Sequence, residues 1–261
     1  MALLLEDKVA AVFAAGGEVG SSVSRVLARE GAAAFLSGRR LAPVESLAKE
    51  IRDAGGVAYA AEVDALDEQA VDSYLEKDVV GRAGRVDIVF NAIGVQPVDA
   101  GYGTPCTKIP YDRFLLPIAT HVGSQFLTSR LAAKHMQAQK SGVILMLSAS
   151  VSTDARLFMA NITAACAAIE GMSRSPAAEL GRSGISVVCI RPRAMAETRT
   201  IRQTYEVNAR TLGIEPEAFA RAVRDAAPPG RPATTLGDMA EMAAFLASNK
   251  AGTLGGRAVE V

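Results

Sequence analysis

No excess of charge of either sign exists in this chain: Lys plus Arg number 28 and Asp plus Glu number 28 among 261 residues. That balance argues against a polyanionic partner such as nucleic acid. Cysteine is scarce. Cys106, Cys166 and Cys189 are too few and too scattered for a disulfide framework or a metal cluster, and they read as reduced thiols. Long apolar runs are missing. None reaches the roughly 18 residues that cross a membrane. Glu6, Asp7 and Lys8 interrupt the apolar start at Met1–Leu5 before it can form a signal-peptide core. Internal repeats and low-complexity linkers are absent too. These absences predict a soluble, cytoplasmic protein with no metal.

Hydrophobic residues make up 49% of the chain, enough for one sizeable core. Their pattern alternates between short apolar runs and longer amphipathic ones. Val9–Ala14, Ala33–Ser37, Val57–Ala61, Val86–Asn91, Val143–Leu147 and Ile185–Ile190 read as buried strands, with Arg257–Val261 as a last short one. Ser21–Glu30, Leu41–Asp53, Glu68–Val80, residues 112–139, Ala160–Leu180 and Asp238–Leu246 read as helices. Pro117 and Pro176 are expected to break two of them. Alternation of this kind predicts a parallel sheet covered on both faces. Residues 191–232 read as irregular, apart from a helix around Pro216–Asp225. The region near 193–232 is a candidate lid over a pocket at the strand ends.

Two stretches carry chemistry. The first strand runs into "AAGGEVGSS", and Gly16, Gly17 and Gly20 stand between strand and helix. Glycines there let a backbone approach a pyrophosphate, and the helix N-terminus supplies N–H donors. The second strand ends in "SGRR". A carboxylate at that tip would bind the ribose of NAD. Gly38 removes it, and Arg39 and Arg40 offer charge to a 2′-phosphate.

The segments "KVAAVFAAGGEVG", "GRR", "VDALD", "DIVFNAIG", "GVILMLSAS", "AAIEGMSRSPAAELG" and "ISVVCIRP" occur in this order. Together they resemble the short-chain dehydrogenase/reductase family over essentially the whole chain. The resemblance implies a single α/β domain over residues 1–261, a Rossmann-type doubly wound parallel sheet of about seven strands with helices on both faces. It implies a cofactor site for NADP (NADPH). Gly16, Gly17, Val19 and Gly20 would face the pyrophosphate, and Asp64 the adenine. Asn91, Ala92 and Gly94 would line the strand end, with Pro192 and Thr198 near the nicotinamide. It also implies a homodimer or homotetramer through the helices at 112–139 and 160–180.

The departures from the family are as informative. Its opening Thr-Gly is Phe13-Ala14 here, its middle glycine is Glu18, and Arg193 follows Pro192 where a glycine is usual. A carboxylate at position 18 is unfavourable beside a pyrophosphate unless it points away or meets an arginine such as Arg39. The family's acid–base relay is replaced throughout. Its tyrosine position is Ile162, its lysine position Cys166, its serine position Ala149 and its asparagine position His121. Isoleucine transfers no proton, and cysteine supplies no cation to lower a neighbour's pKa. Cys166 reads as a small buried core residue.

His121 is a candidate general acid or base. Ser150 or its neighbour Ser148 is a candidate for orienting a carbonyl, and Asp154 and Arg156 lie where they could reach substrate. Three functions fit this pattern. The first is an atypical NADP(H)-dependent oxidoreductase acting on a small carbonyl, alcohol or activated alkene. The second is a cofactor-independent lyase, isomerase or cyclase. The third is a non-catalytic binding or partner subunit.

Overall fold

The computed structural model describes residues 3–226, 233–252 and 254–261. The run "VAAVF" forms β1 (Val9–Phe13), and all of its residues are buried. A strand that is apolar on both faces needs helices on both sides, and the chain supplies them in turn. After β1 come α1 (Glu18–Arg29), β2 (Ala33–Gly38), α2 (Leu41–Asp53), β3 (Ala58–Glu62), α3 (Glu68–Ser73) and β4 (Ile88–Asn91). Next are α4 (Tyr111–Pro117), α5 (Gly123–Gln139), β5 (Gly142–Leu147), α6 (Ala160–Leu180) and β6 (Ile185–Arg191). The chain closes with α7 (Arg199–Leu212), α8 (Pro216–Asp225), α9 (Leu236–Ala247) and β7 (Ala258–Glu260).

The seven strands form one sheet in the order β3-β2-β1-β4-β5-β6-β7. Every neighbouring pair is parallel. One face is buried under α1, α2 and α9 through residues such as Val23, Leu27, Val44, Leu47 and Ala243. The other is buried through Leu75, Val79, Leu131, Met136 and Ile169. The strand order reverses between β1 and β4, which opens a crevice beyond their carboxyl ends. Register brings the ends level there: Phe13 pairs with both Ser37 of β2 and Asn91 of β4.

The prolines behave differently from one another. After Pro117 the helix widens into a π-type turn at Ile118–Val122 before α5 begins. That turn contains His121, and such turns occur often at functional sites. Pro176 ends nothing: α6 runs continuously from Ala160 to Leu180. One missing N–H is tolerated because α6 is held along its length against β6. The stretch after Arg191 is more regular than its sequence suggests. Thr198 caps α7 through its hydroxyl, which accepts from the Ile201 N–H at 3.3 Å. The "PPGRP" motif of the lid region lies outside the described residues.

Candidate active site

A cavity of about 620 Å³ opens at the switch point. The β1–α1 loop forms its floor at one end. Gly17 is the N-cap of α1 with no side-chain cap, so the first N–H groups of that helix remain available to an anion. Gly20 is required here, because a Cβ would stand 2.3 Å from the Ala14 carbonyl oxygen. Ala14 itself has φ 57°, a left-handed conformation that explains why the family keeps glycine at this position. Glu18 does not meet Arg39. Its Oε2 accepts the Arg199 N–H of α7 at 2.8 Å, and its Oε1 lies 3.9 Å from the Arg202 guanidinium.

Arg39 and Arg40 line the same end of the cavity. Both are exposed, and among the described residues neither has an ion-pair partner. Val19, Ala92, Gly94, Pro192 and Thr198 also line the cavity. The structure does not bring Asp64 and Asn91 into its wall. The Asp64 carboxylate accepts the Leu66 N–H at 3.0 Å in the turn after β3. Asn91 is buried and spends its amide on Thr128 Oγ1 at 3.1 Å and on the Ile93 N–H at 2.9 Å. It fixes the end of β4.

The four residues that the resemblance aligns with the family relay, Ala149, Ile162, Cys166 and His121, all line this cavity. Ile162 and Cys166 lie one turn apart on α6 and pack with Tyr102 in a small cluster. Burial pushes the Cys166 thiol up to about 12, which removes it as a nucleophile. His121 Nε2 is buried without a hydrogen-bond partner. Burial drives its imidazole down to about 4, so it is neutral near pH 7.

The two serines separate. Ser148 Oγ donates to Glu170 Oε1 at 2.9 Å and belongs to a buried network. There Arg191 also donates to Glu170, at 2.9 and 2.7 Å. Ser150 is tied through its backbone, its N–H donating to the Pro192 carbonyl at 3.0 Å and its carbonyl accepting from the Thr153 hydroxyl at 3.2 Å, and it lines the cavity. Arg156 is paired with Asp154 at 3.0 Å.

Sequence reasoning missed Tyr102. It lies between Gly101 and Gly103, both with positive φ. Asn161 at the start of α6 holds this loop by donating to the Ala100 carbonyl at 2.7 Å. Thr211 of α7 donates to the Gly103 carbonyl at 2.6 Å. Tyr102 thus reaches the cavity from a loop distant in sequence, and burial raises its pKa strongly. Only the flanking glycines signalled a special backbone. Asn208 of α7 was missed as well, along with its helix.

A parallel sheet with a glycine loop at its switch point and an open cavity beyond it defines a nucleotide-binding α/β architecture. The family model described as "Enoyl-(Acyl carrier protein) reductase" matches residues 14–261. An uncharacterized oxidoreductase of Bacillus subtilis (strain 168) is 29% identical over 248 residues, 94% of this chain and 86% of its own. A 7 alpha-hydroxysteroid dehydrogenase complexed with NADH and 7-oxo glycochenodeoxycholic acid superposes with TM-score 0.85 at 26% identity, covering 100% of this chain and 94% of that one. An NAD+-bound xylitol dehydrogenase shares the fold with TM-score 0.91 at 23% identity, covering 98% of both chains. The chain belongs to the short-chain dehydrogenase/reductase family of oxidoreductases. Among the described residues, no helix is long and apolar enough to cross a membrane. No group of three or more His, Cys, Asp or Glu side chains among them is placed to hold a metal ion.

Proposed function

We propose that the protein is an NADP(H)-dependent oxidoreductase for a small carbonyl, alcohol or activated alkene that works without the family's Tyr/Lys relay. The observation that carries this reading is the pair Arg39 and Arg40, without an ion-pair partner among the described residues and lining the cavity where β2 ends without a carboxylate. Among the solved structures this chain resembles, some hold NAD+ or NADH and one holds NADP at low occupancy. The phosphorylated form is assigned to this chain on its two arginines alone. Its glycine loop fits a dinucleotide, since the α1 N-terminus is uncapped and Gly17 and Gly20 leave no side chain there.

In this reading Gly16, Gly17, Val19 and Gly20 cradle the pyrophosphate, and Arg39 and Arg40 bind the 2′-phosphate. Ala92, Gly94, Pro192 and Thr198 line the path to the nicotinamide. Asp64 and Asn91 support the turn and the strand end. Bound nicotinamide supplies or accepts the hydride. Neutral His121 and Ser150 hold the reacting oxygen by hydrogen bonds, and the proton comes from solvent. Neutral imidazole can serve as such a donor. The helices around 112–139 and 160–180 are the proposed faces of a homodimer or homotetramer in the cytoplasm.

One observation favours the cofactor-independent reading: Glu18 places a carboxylate between the N-termini of α1 and α7. Titration with NADPH and NADH, by calorimetry and by unfolding temperature, separates the two. Ligand at 100 times its Kd adds about 2.7 kcal/mol of stability. Tight NADPH binding with much weaker NADH binding supports the proposal. Binding of neither dinucleotide overturns it in favour of cofactor-free chemistry.

A further inference from the structure

Two tyrosines line the cavity, Tyr102 and Tyr205. Tyr205 belongs to the lid, where its ring packs on Phe219 with centroids 5.7 Å apart and joins α7 to α8. Tyr102 shares a small buried cluster with Ile162 and Cys166, the residues aligned with the family's tyrosine and lysine. Ala149, and Val122 beside His121, pack against the same cluster. A phenol therefore sits among the aligned relay residues, brought there by a different segment of the chain.

The Tyr102 hydroxyl has no hydrogen-bond partner among the described residues. It is not sealed off either. The unpartnered Tyr74 hydroxyl is enclosed by protein, and the Tyr102 hydroxyl is not. The residue is only 7% exposed, so an unbonded oxygen that water still reaches opens onto the cavity the residue lines. Its backbone is fixed from several sides. The Tyr102 N–H donates to the Pro97 carbonyl at 3.0 Å, and the Gly103 N–H donates to the Phe158 carbonyl at 3.2 Å. Asn161 and Thr211 hold the carbonyls of Ala100 and Gly103. At Gly103 a Cβ would stand 2.7 Å from the Val207 carbonyl oxygen, so the loop lies hard against α7. Phe158 accepts its bond at φ 57°, a costly conformation for a bulky residue. Such fixing keeps one orientation of a reacting group and removes its ordering cost from the reaction.

We propose that Tyr102 takes over the work of the missing relay tyrosine and passes its phenolic proton to the reacting oxygen. The proposal rests on the oxidoreductase reading for its hydride step, and on the loop geometry for the phenol. In the reducing direction the carbonyl carbon gains hydride from NADPH, which leaves as NADP+. The C=O π pair moves onto oxygen, that oxygen takes the Tyr102 proton, and the phenolate regains one from solvent. A secondary alkoxide is a stronger base than a phenolate, so the transfer needs no neighbouring cation. Burial raises the Tyr102 pKa, and the nearby Cys166 adds to this, so the phenol enters each turnover protonated.

The test uses isatin, an uncharged activated ketone, labelled with carbon-13 at its ketone carbon. Infrared spectra of the bound probe are taken with NADP+, which cannot reduce it, and without. NADPH oxidation is measured in parallel. The wild type should lower the ketone stretch of the bound probe. Tyr102→Phe, which keeps the ring in its cluster, should abolish that shift, and Tyr205→Phe should leave it. Tyr102→Phe should also lower kcat at least about a hundredfold with KM within about threefold, the pattern of a group acting in the transition state. No shifted band in the wild type overturns the proposal, whether the probe binds or not. A band that survives Tyr102→Phe, or one lost in Tyr205→Phe instead, also overturns it. A fall in kcat with an unchanged band makes Tyr102 structural and overturns it too. A Tyr102-dependent band without NADPH oxidation supports the placement of the phenol and counts against the oxidoreductase reading alone.

Discussion

Glu18 and Arg199 tie the phosphate loop to the lid: the Glu18 carboxylate caps the first turn of α7 by accepting the Arg199 N–H at 2.8 Å. Two helix N-termini, those of α1 and α7, converge on this carboxylate, and both favour negative charge. A pyrophosphate at the loop competes for the same field. Glu18→Gln keeps the shape and removes the charge. It should tighten NADPH binding about tenfold, the scale of a Coulomb term on the order of 1–2 kcal/mol between partly solvated charges. In the dinucleotide-free protein the same change should speed amide exchange in the first turn of α7. Unchanged exchange there would show that the bond does not hold the lid.

Ala14 offers a simpler test on the same loop. Its φ of 57° costs an alanine strain that a glycine does not pay. Its carbonyl also accepts the Gly17 N–H at 3.1 Å, so the conformation is enforced by the loop. Ala14→Gly should raise stability by about 1 kcal/mol, after the added freedom of the unfolded glycine is counted. Denaturant melts would show it as a higher midpoint with an unchanged slope.

The fold was largely legible because its strands are continuous apolar runs bounded by glycine. Leu41–Asp53 and Ala160–Leu180 were readable to the residue, from the spacing of Leu47 and Ile51 and from the small apolar face around Ile162 and Ile169. α7 was not readable. Its sequence "RTIRQTYEVNARTL" is largely polar, and only Thr204, Asn208 and Ala209 are buried. It is ordered by Thr198 and Glu18, contacts that no local pattern announces. Ile162, Cys166 and Ala149, aligned with the relay by ungapped spacing, line the cavity. Tyr102 and Asn208 escaped because they reach that cavity from segments remote in sequence.

Arg39 and Arg40 should decide the cofactor. Arg39→Ala or Arg40→Ala should weaken NADPH about ten- to a hundredfold and leave NADH within about twofold, since only the 2′-phosphate meets these charges. Added salt should erode the wild-type preference, because both side chains are exposed. Equal losses for both dinucleotides would assign the arginines to general attraction rather than to the phosphate.

Glu170 is the centre of a buried network behind the cavity. It accepts from Ser148, Ser152 and Arg191, and its residue is 8% exposed. Glu170→Ala would leave the Arg191 guanidinium without its bidentate partner. Breaking a buried pair in this way costs about 3–5 kcal/mol. The loss here belongs near the lower end, because Glu260 lies 3.7 Å from Arg191 and keeps part of the charge compensated. The double change Glu170→Leu with Arg191→Leu should recover much of the loss. Failure of the double variant to recover would mean that the serines, not the ion pair, hold the end of β5.

His121 gives the protein an acid limit. Burial lowers its imidazole from 6.5 to about 4. A base whose pKa falls on folding binds fewer protons in the native state than in the unfolded one. Its contribution to stability is complete above about pH 6.5 and is lost as pH falls through about 4. The full difference is on the order of 3 kcal/mol. His121→Asn should flatten that part of the pH–stability curve, measured by denaturant melts at closely spaced pH values. Turnover should respond differently. Neutral His121 does not titrate above about pH 5, and Cys166 and Tyr102 keep their protons well above neutral pH. The wild-type rate should therefore be flat from about pH 5 to 9, with no limb set by a tyrosine. A bell-shaped rate profile centred near neutral pH would require a titrating group at the reacting oxygen, and would remove neutral His121 from that position.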